Sequence, residues 1–132
     1  CGVDIVAIQD GARPCTDAGL IVRTIEAARE TGAAVAAGCV TDTIKESDAD
    51  GLVARHINRD SLRAVQTPQA FQLKVICQAL KAVRDQARRV TDDTAACELI
   101  GQPVKLVESD APNPKVTRAS DLPWIEQLLR GQ

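Results

Sequence analysis

Val3-Asp4-Ile5-Val6-Ala7-Ile8-Gln9-Asp10-Gly11-Ala12-Arg13-Pro14 is the stretch that decides the fold. Five of the six residues from Val3 to Ile8 are apolar and most are β-branched, which predicts a short strand buried on both faces, as in a parallel sheet. That strand delivers a carboxylate and a guanidinium, three residues apart, into a loop punctuated by Gly11 and Pro14. In open α/β sheets, ligands bind in the crevice beyond the carboxyl ends of the strands. Asp10 there suits a divalent metal or a ribose hydroxyl, and Arg13 suits a phosphate. The competing reading is an Asp10 that caps its own loop with Arg13 paired to it.

Working outward, Thr16 or Asp17 is placed to cap a helix running to about Glu30. Ile21, Ile25 and Ala28 form its apolar stripe, and Gly32 closes it. Ala33 to Val40 reads as a second buried strand. Strand, helix and strand within so short a span predict a βαβ unit with a right-handed crossover and a parallel pairing. The pattern then breaks. Thr41–Lys45 and Leu52–Ile57 flank the turn-rich Ser47-Asp-Ala-Asp-Gly51, which predicts a hairpin over about residues 41–62. It is polar enough to stand away from the main sheet as an arm toward a partner subunit; an edge hairpin packed on its own domain is the alternative. Gln66-Thr-Pro-Gln69 reads as a polar loop before a helix from about Leu73 to Ala87, whose stripe is Ile76, Ala79, Leu80 and Val83. Thr91 is placed as a hydroxyl cap, with Asp92 and Asp93 behind it at the positive dipole end of a helix through Leu99. Val104–Val107 is a third strand and residues 113–117 a loop. Ser120–Leu129 is a final helix with Pro123 in its first turn. No repeat, low-complexity tract or linker divides the chain, so residues 1–132 read as a single domain.

Composition narrows the function. A 132-residue chain buries roughly two-thirds of the surface its unfolded form exposes. A net charge of −2 and the lack of any basic run give no field for nucleic acid. One Phe, one Trp and no Tyr leave no platform for base stacking, and the core must rest on Ala, Val, Ile and Leu. No apolar run approaches the roughly 18 residues of a membrane span, so no membrane role is expected. Five dispersed cysteines, without a C-x-x-C pair, predict reduced thiols in a cytoplasmic protein. A lone histidine, His56, makes a His-based metal cluster or dyad a poor expectation; it reads as a solvent-facing strand residue or an arm contact.

The residues hardest to explain structurally are Asp10, Arg13, Thr43, Lys45, Arg59, Thr67, Gln69, Thr91, Asp92 and Lys115, all in predicted loops or at element ends. Scattered bases, hydroxyls and a strand-end acid suit a phosphorylated ligand with a divalent metal. Each base taken singly is also explained as a solvated charge, and each Thr or Asp as a cap. No Ser/His/Asp or Cys/His set is available to a hydrolase.

Asp10-Gly-Ala-Arg-Pro14, Asp42-Thr-Ile-Lys45, Asn58-Arg-Asp-Ser-Leu62, Gln66-Thr-Pro-Gln-Ala-Phe71, Thr91-Asp-Asp93 and Lys115-Val-Thr-Arg118 with Asp121-Leu122 follow one another in order. Together they resemble the carboxy-terminal half of the 2-C-methyl-D-erythritol 4-phosphate cytidylyltransferase family, over nearly the whole chain. The resemblance implies an α/β Rossmann-like nucleotidyltransferase fold with a predominantly parallel sheet, its amino-terminal strands absent from this chain. It also implies a protruding β-arm that joins a homodimer, and Mg²⁺ as cofactor. The substrates would be CTP and a polyol phosphate, whose phosphate attacks the α-phosphorus of CTP and expels pyrophosphate. Carried over residue by residue, Asp10 would lie near the ribose and the metal, and Arg13 near the acceptor phosphate. Thr43 and Arg59 on the arm would reach into the neighbouring subunit's site. Arg59 and Lys115 would orient the attacking phosphate, while Thr67 and Thr91 would line the pocket.

The chain departs from the family at Gln9, where His is usual, and at Pro112, where an Asp usually precedes Asn113. The family's glycine-rich CTP loop is not found in it. The chain opens at Cys1, already within a strand, and is expected to be the later part of a longer protein, inactive alone. Ribitol-5-phosphate cytidylyltransferase shares most of these motifs, although Asn58–Leu62 and Thr91–Asp93 favour the methylerythritol enzyme. A non-catalytic dimerisation or binding module is the alternative from another class. A sugar-nucleotide pyrophosphorylase is disfavoured by Asp42–Lys45 and Thr67–Gln69.

Overall fold

The computed structural model describes residues 2–131, so the expected thiol of Cys1 lies outside the described residues. Strand β1 (Ile5–Ile8) leads through the Asp10 loop to helix α1 (Ala18–Thr31), then β2 (Ala33–Cys39). The cap of α1 is Asp17 rather than Thr16: its carboxylate accepts the Leu20 N–H at 2.8 Å. Gly32 ends the helix at φ 95°, a conformation that glycine adopts without cost, and its N–H donates to the Ala28 carbonyl at 2.8 Å.

The predicted hairpin is present as β3 (Ile44–Ser47) and β4 (Val53–Ile57), paired antiparallel in a two-stranded sheet of their own. Asp48 organises its turn by accepting the N–H groups of Asp50 and Leu52, and Gly51 takes φ 81°. A single 3₁₀ turn at Arg59–Ser61 then feeds β5 (Arg63–Gln72). Beyond it come α2 (Leu73–Asp85), α3 (Asp93–Glu98), β6 (Lys105–Glu108) and α4 (Leu122–Arg130).

The main sheet has four strands in the order β1-β5-β2-β6. β5 is antiparallel to both β1 and β2, whereas β2 and β6 are parallel. The α/β class therefore stands and β1 and β2 do run the same way, but they do not pair: β5 is inserted between them. Two of the three ladders are antiparallel, which corrects the direct parallel pairing expected of the βαβ unit.

β5 also corrects the expected polar loop, since Thr67, Pro68, Gln69, Ala70 and Phe71 are buried within this strand. Proline is tolerated there because the ladder is broken. Gln69 opposes Val35 and Val65 opposes Ala37, so Gln66, Thr67 and Pro68 bulge opposite Ala36 alone. A residue without an N–H loses no ladder bond at a bulge. The Thr67–Pro68 peptide is cis.

Helices cover both faces of the sheet. On one, α1 packs Ala28 against Ala34 and Ala70, with Ile5, Ile25 and Val107 at the margin. On the other, α2 and α3 bring Val75, Ile76, Ala79, Ala96 and Cys97 onto Ala33 and Phe71. The alternation of Ala33 with Ala34, and of Ala70 with Phe71, follows the two-residue period of a strand. The single Phe, 0% exposed, leads the fully buried side chains by volume and anchors a core otherwise made of small residues. Burial pushes the Cys97 thiol up to about 11, so it behaves as a small apolar residue.

Three smaller expectations change. Leu80 is 38% exposed, and Val75 takes its place in the buried stripe of α2. β1 is half-buried rather than buried on both faces, because it is an edge strand with Ala7 exposed. Asp92, not Thr91, caps α3: its Oδ1 accepts the Ala95 N–H at 2.9 Å.

Candidate active site

The carboxyl end of β1 releases the chain into a tight turn, in which the Arg13 N–H donates to the Asp10 carbonyl at 3.0 Å. The Asp10 N–H donates to Thr67 Oγ1 at 3.0 Å, fastening this loop to the bulge of β5. Lys115, carried by the loop that follows β6, places Nζ 3.0 Å from Asp10 Oδ2, and Arg13 Nε lies 3.4 Å from the same oxygen. The alternative reading of Asp10 and Arg13 is thus also realised: they are paired, with Lys115 as a third member. The hydrogen bond from Lys115, helped by the Lys115 and Arg13 charges, holds the Asp10 carboxyl below the usual carboxylate range.

These groups line an open cavity of about 430 Å³, together with Thr67, Gln69, Thr91, Asp92 and Asp93. Five of the seven residues expected at the site, Asp10, Arg13, Thr67, Thr91 and Lys115, are therefore brought to one place. Together with Gln69, Asp92 and Asp93 contribute an acidic part of the lining. Buried Gln69 donates from Nε2 to Asp92 Oδ2 at 3.1 Å, and Asp92 is held in turn by Ala95 N–H and Thr94 Oγ1. Burial and the neighbouring Asp92 charge raise the Asp93 carboxyl above its ordinary value. A cavity lined by two cations together with hydrogen-bonding oxygens suits a ligand that carries both phosphate and hydroxyl groups.

Thr43 and Arg59 are not in this cavity. Both are exposed on the arm, and the Arg59 guanidinium donates to the Thr41 carbonyl. His56 is likewise exposed on β4, with Nδ1 3.1 Å from Lys45 Nζ across the hairpin. A further opening of about 380 Å³ lies at the β1 edge, lined by Val3, Asp4, Ile5, Arg29, Gln72, Leu73 and Lys74; it contains none of the residues expected at the site.

Two residues escaped the sequence reading. Gln66, within the bulge, lines the cavity. Asn113 is 4% exposed and bonds to two other segments of the chain, the Arg13–Thr16 loop and the β5 bulge. Flanked by Pro112 and Pro114, it reads as an ordinary loop residue; only its tertiary partners reveal it. Gln9, at the family's usual His position, donates to Thr16 Oγ1 at 2.9 Å and joins the same network.

The family model for IspD, 2-C-methyl-D-erythritol 4-phosphate cytidylyltransferase, matches residues 2–131. The 2-C-methyl-D-erythritol 4-phosphate cytidylyltransferase of Geobacillus kaustophilus is 45% identical over 129 residues, which is 97% of this chain and 56% of that protein. A bifunctional enzyme IspD/IspF of Nitrobacter hamburgensis is 49% identical over 127 residues, 96% of this chain and 32% of that protein. Among solved structures, the cytidylyltransferase of that name from Thermus thermophilus superposes with a TM-score of 0.88 at 35% identity, covering 98% of this chain and 63% of that one. The chain thus spans about half the length of the curated single-function relatives it matches.

Proposed function

The chain belongs to the 2-C-methyl-D-erythritol 4-phosphate cytidylyltransferase family, and from that premise we propose that it forms the acceptor side of a cytidylyltransferase site. The reaction joins CTP to 2-C-methyl-D-erythritol 4-phosphate in the non-mevalonate route to isoprenoid precursors. An oxygen of the acceptor phosphate bonds to the α-phosphorus of CTP, the bond from that phosphorus to the bridging oxygen breaks, and pyrophosphate leaves. The observation that carries this reading is the convergence of Lys115 and Arg13 on Asp10 at the mouth of the cavity.

Transfer at phosphorus asks a protein mainly to position groups and to balance charge. Lys115 and Arg13, already oriented against one carboxylate, supply positive charge for the acceptor phosphate without reorganising on its arrival. Thr67 and Thr91 offer hydroxyls along the pocket. Thr43 and Arg59, exposed on the arm and outside their own cavity, suit delivery to a second subunit's site, so we read the protein as a homodimer joined through the β-arm. Leu52 and Val53, 66% and 65% exposed at the arm's tip, support that use.

For Mg²⁺, Asp10 is the one carboxylate at the junction of the two bases, and Mg²⁺ commonly takes one or two carboxylates with the remaining positions filled by substrate phosphates and water. Asp10 fits that mode; the ion would neutralise charge on the nucleotide phosphates. Free cysteines, two of them exposed, suit a reducing cytoplasm. Among the described residues no helix is long and apolar enough to cross a membrane.

The test is a hybrid in which this chain follows the complementary segment of the Geobacillus kaustophilus relative. With CTP and Mg²⁺ it is expected to turn over methylerythritol phosphate in preference to ribitol phosphate. Lys115→Ala should lower kcat by about 10²- to 10³-fold with little change in KM for CTP, the scale of a lost electrostatic contact in the transition state. Parental turnover in that variant would remove Lys115 from the mechanism.

A further inference from the structure

The loop that bears Lys115 runs from the end of β6 at Glu108 to Ala119, and it is fastened at one point more than any other. Asn113 uses every hydrogen-bonding group of its carboxamide. Nδ2 donates to Gln66 Oε1 at 3.1 Å and to the Thr67 carbonyl at 2.8 Å, both in the β5 bulge. Oδ1 lies 2.9 Å from Thr16 Oγ1, whose single proton serves it or the Arg13 carbonyl at 3.0 Å. The Asn113 main-chain carbonyl accepts from the Arg13 guanidinium at 2.5 Å. Two residues past it comes Lys115, and Val116 N–H closes the same loop onto the Ala12 carbonyl at 2.8 Å. One buried side chain thus ties together the three segments that supply Arg13, Thr67 and Lys115.

We propose that Asn113 is a positioning residue of the cytidylyltransferase site, a latch that sets Lys115 and Arg13 against the acceptor phosphate; this rests on the function proposed above. A carboxamide is required because the place demands two donors and an acceptor at once. A carboxylate of the same shape would set its oxygens against Gln66 Oε1 and the Thr67 carbonyl. An alanine would take the donor away from Gln66 Oε1 and the Thr67 carbonyl, while the Thr16 hydroxyl would keep only its bonds to Gln9 and the Arg13 carbonyl. Asn113 touches the cavity groups from behind and is not among the residues lining the cavity. Its effect must therefore pass through the bases it holds.

That route makes the proposal separable from a general loss of stability. In the hybrid enzyme, Asn113→Ala should lower kcat for the acceptor by about 10- to 10²-fold, the scale of a small misplacement of a reacting group, and leave KM for CTP unchanged. The same substitution in a Lys115→Ala background should add clearly less than in the parent, because only the part exerted through Arg13 then remains. In amide exchange, the Val116 N–H should lose protection in Asn113→Ala while the amides of β2 keep theirs. Additive losses in the double variant, or a lower Tm with kcat and both KM values unchanged, would overturn the latch. If the unsubstituted hybrid turns over no polyol phosphate, the proposed function fails instead, and the exchange data alone then judge the latch: unchanged protection of Val116 overturns it.

Discussion

The cavity wall and the arm come from one chain, yet they are built on opposite terms. At the wall, residues are held by segments far along the sequence: the Asp10 main chain by Thr67 and its carboxylate by Lys115, Arg13 by Asn113, Gln69 by Asp92. On the arm the bonds stay local, with Arg55 on Glu46, Lys45 against His56, and Arg59 on Thr41. Its strands pair with each other and with no strand of the main sheet. The wall is organised before any ligand arrives. The arm is organised as a shape, and its outward residues are left for another surface.

The widest gap between the two should appear in stability. Phe71→Ala removes the largest fully buried side chain and is expected to cost about 3–5 kcal/mol in denaturant unfolding. A loss under about 1 kcal/mol would mean that the core around Ala33 and Ala79 closes over the gap.

Next in size is Arg59. Arg59→Ala in the hybrid should lower kcat by about 10²-fold although no cavity group touches it. Mixing that protein with Asp10→Ala, after verified subunit exchange, should restore activity by creating one intact composite site per heterodimer. Absence of recovery would show that the arm serves its own subunit, and the division between wall and arm would narrow.

A third experiment sharpens the wall's side. The loop of Asn113 and Lys115 is fastened again where Asp121 accepts the N–H groups of Thr117 and Arg118, both at 2.9 Å. Those bonds, Thr117 first, hold the Asp121 carboxyl below its ordinary value. A carboxyl depressed in the folded state contributes stability that is present above its unfolded pKa and is lost as pH falls through the folded one. Protection of the Thr117 and Arg118 amides should therefore persist at neutral pH and fall away on acidification below the ordinary carboxylate range. Asp121→Asn should abolish the pH step.

The smallest effect belongs to the arm's tip. Val53→Ser should change unfolding free energy by no more than about 0.5 kcal/mol, as for an exposed position. In the hybrid, the same substitution should weaken subunit association if the tip is buried by a partner.

Local periodicity carries β1, α1, β2, the hairpin, α2 and β6, because each is decided by neighbours within a turn or a pleat. The insertion of β5 is not local. Nothing within Gln66–Gln69 announces a strand, since its polar side chains are satisfied by Asp10, Asp92 and Asn113, which lie tens of residues away. The same holds for the cap of α3. Thr91 and Asp92 are both good caps, and the choice of Asp92 follows from its bond to Gln69. Five of the seven expected site residues do share one cavity, and the rule that ligands gather at strand ends found Asp10 and Arg13 unaided. Asn113 stayed invisible because its importance lies wholly in what it touches.

β5 begins at Arg63, directly after the arm's last turn at Arg59–Ser61 and Leu62, with no slack between them. Over its ten residues it runs from the root of the arm, past Gln66 and Thr67 in the bulge, to the threshold of α2. From Arg63 to Thr67 a strand covers only about 13 Å. Mechanically this is a strut with one built-in elbow, and the elbow is the floor of the cavity. A partner that grips the arm therefore holds the chain only a few residues from Gln66 and Thr67, both of which line the cavity.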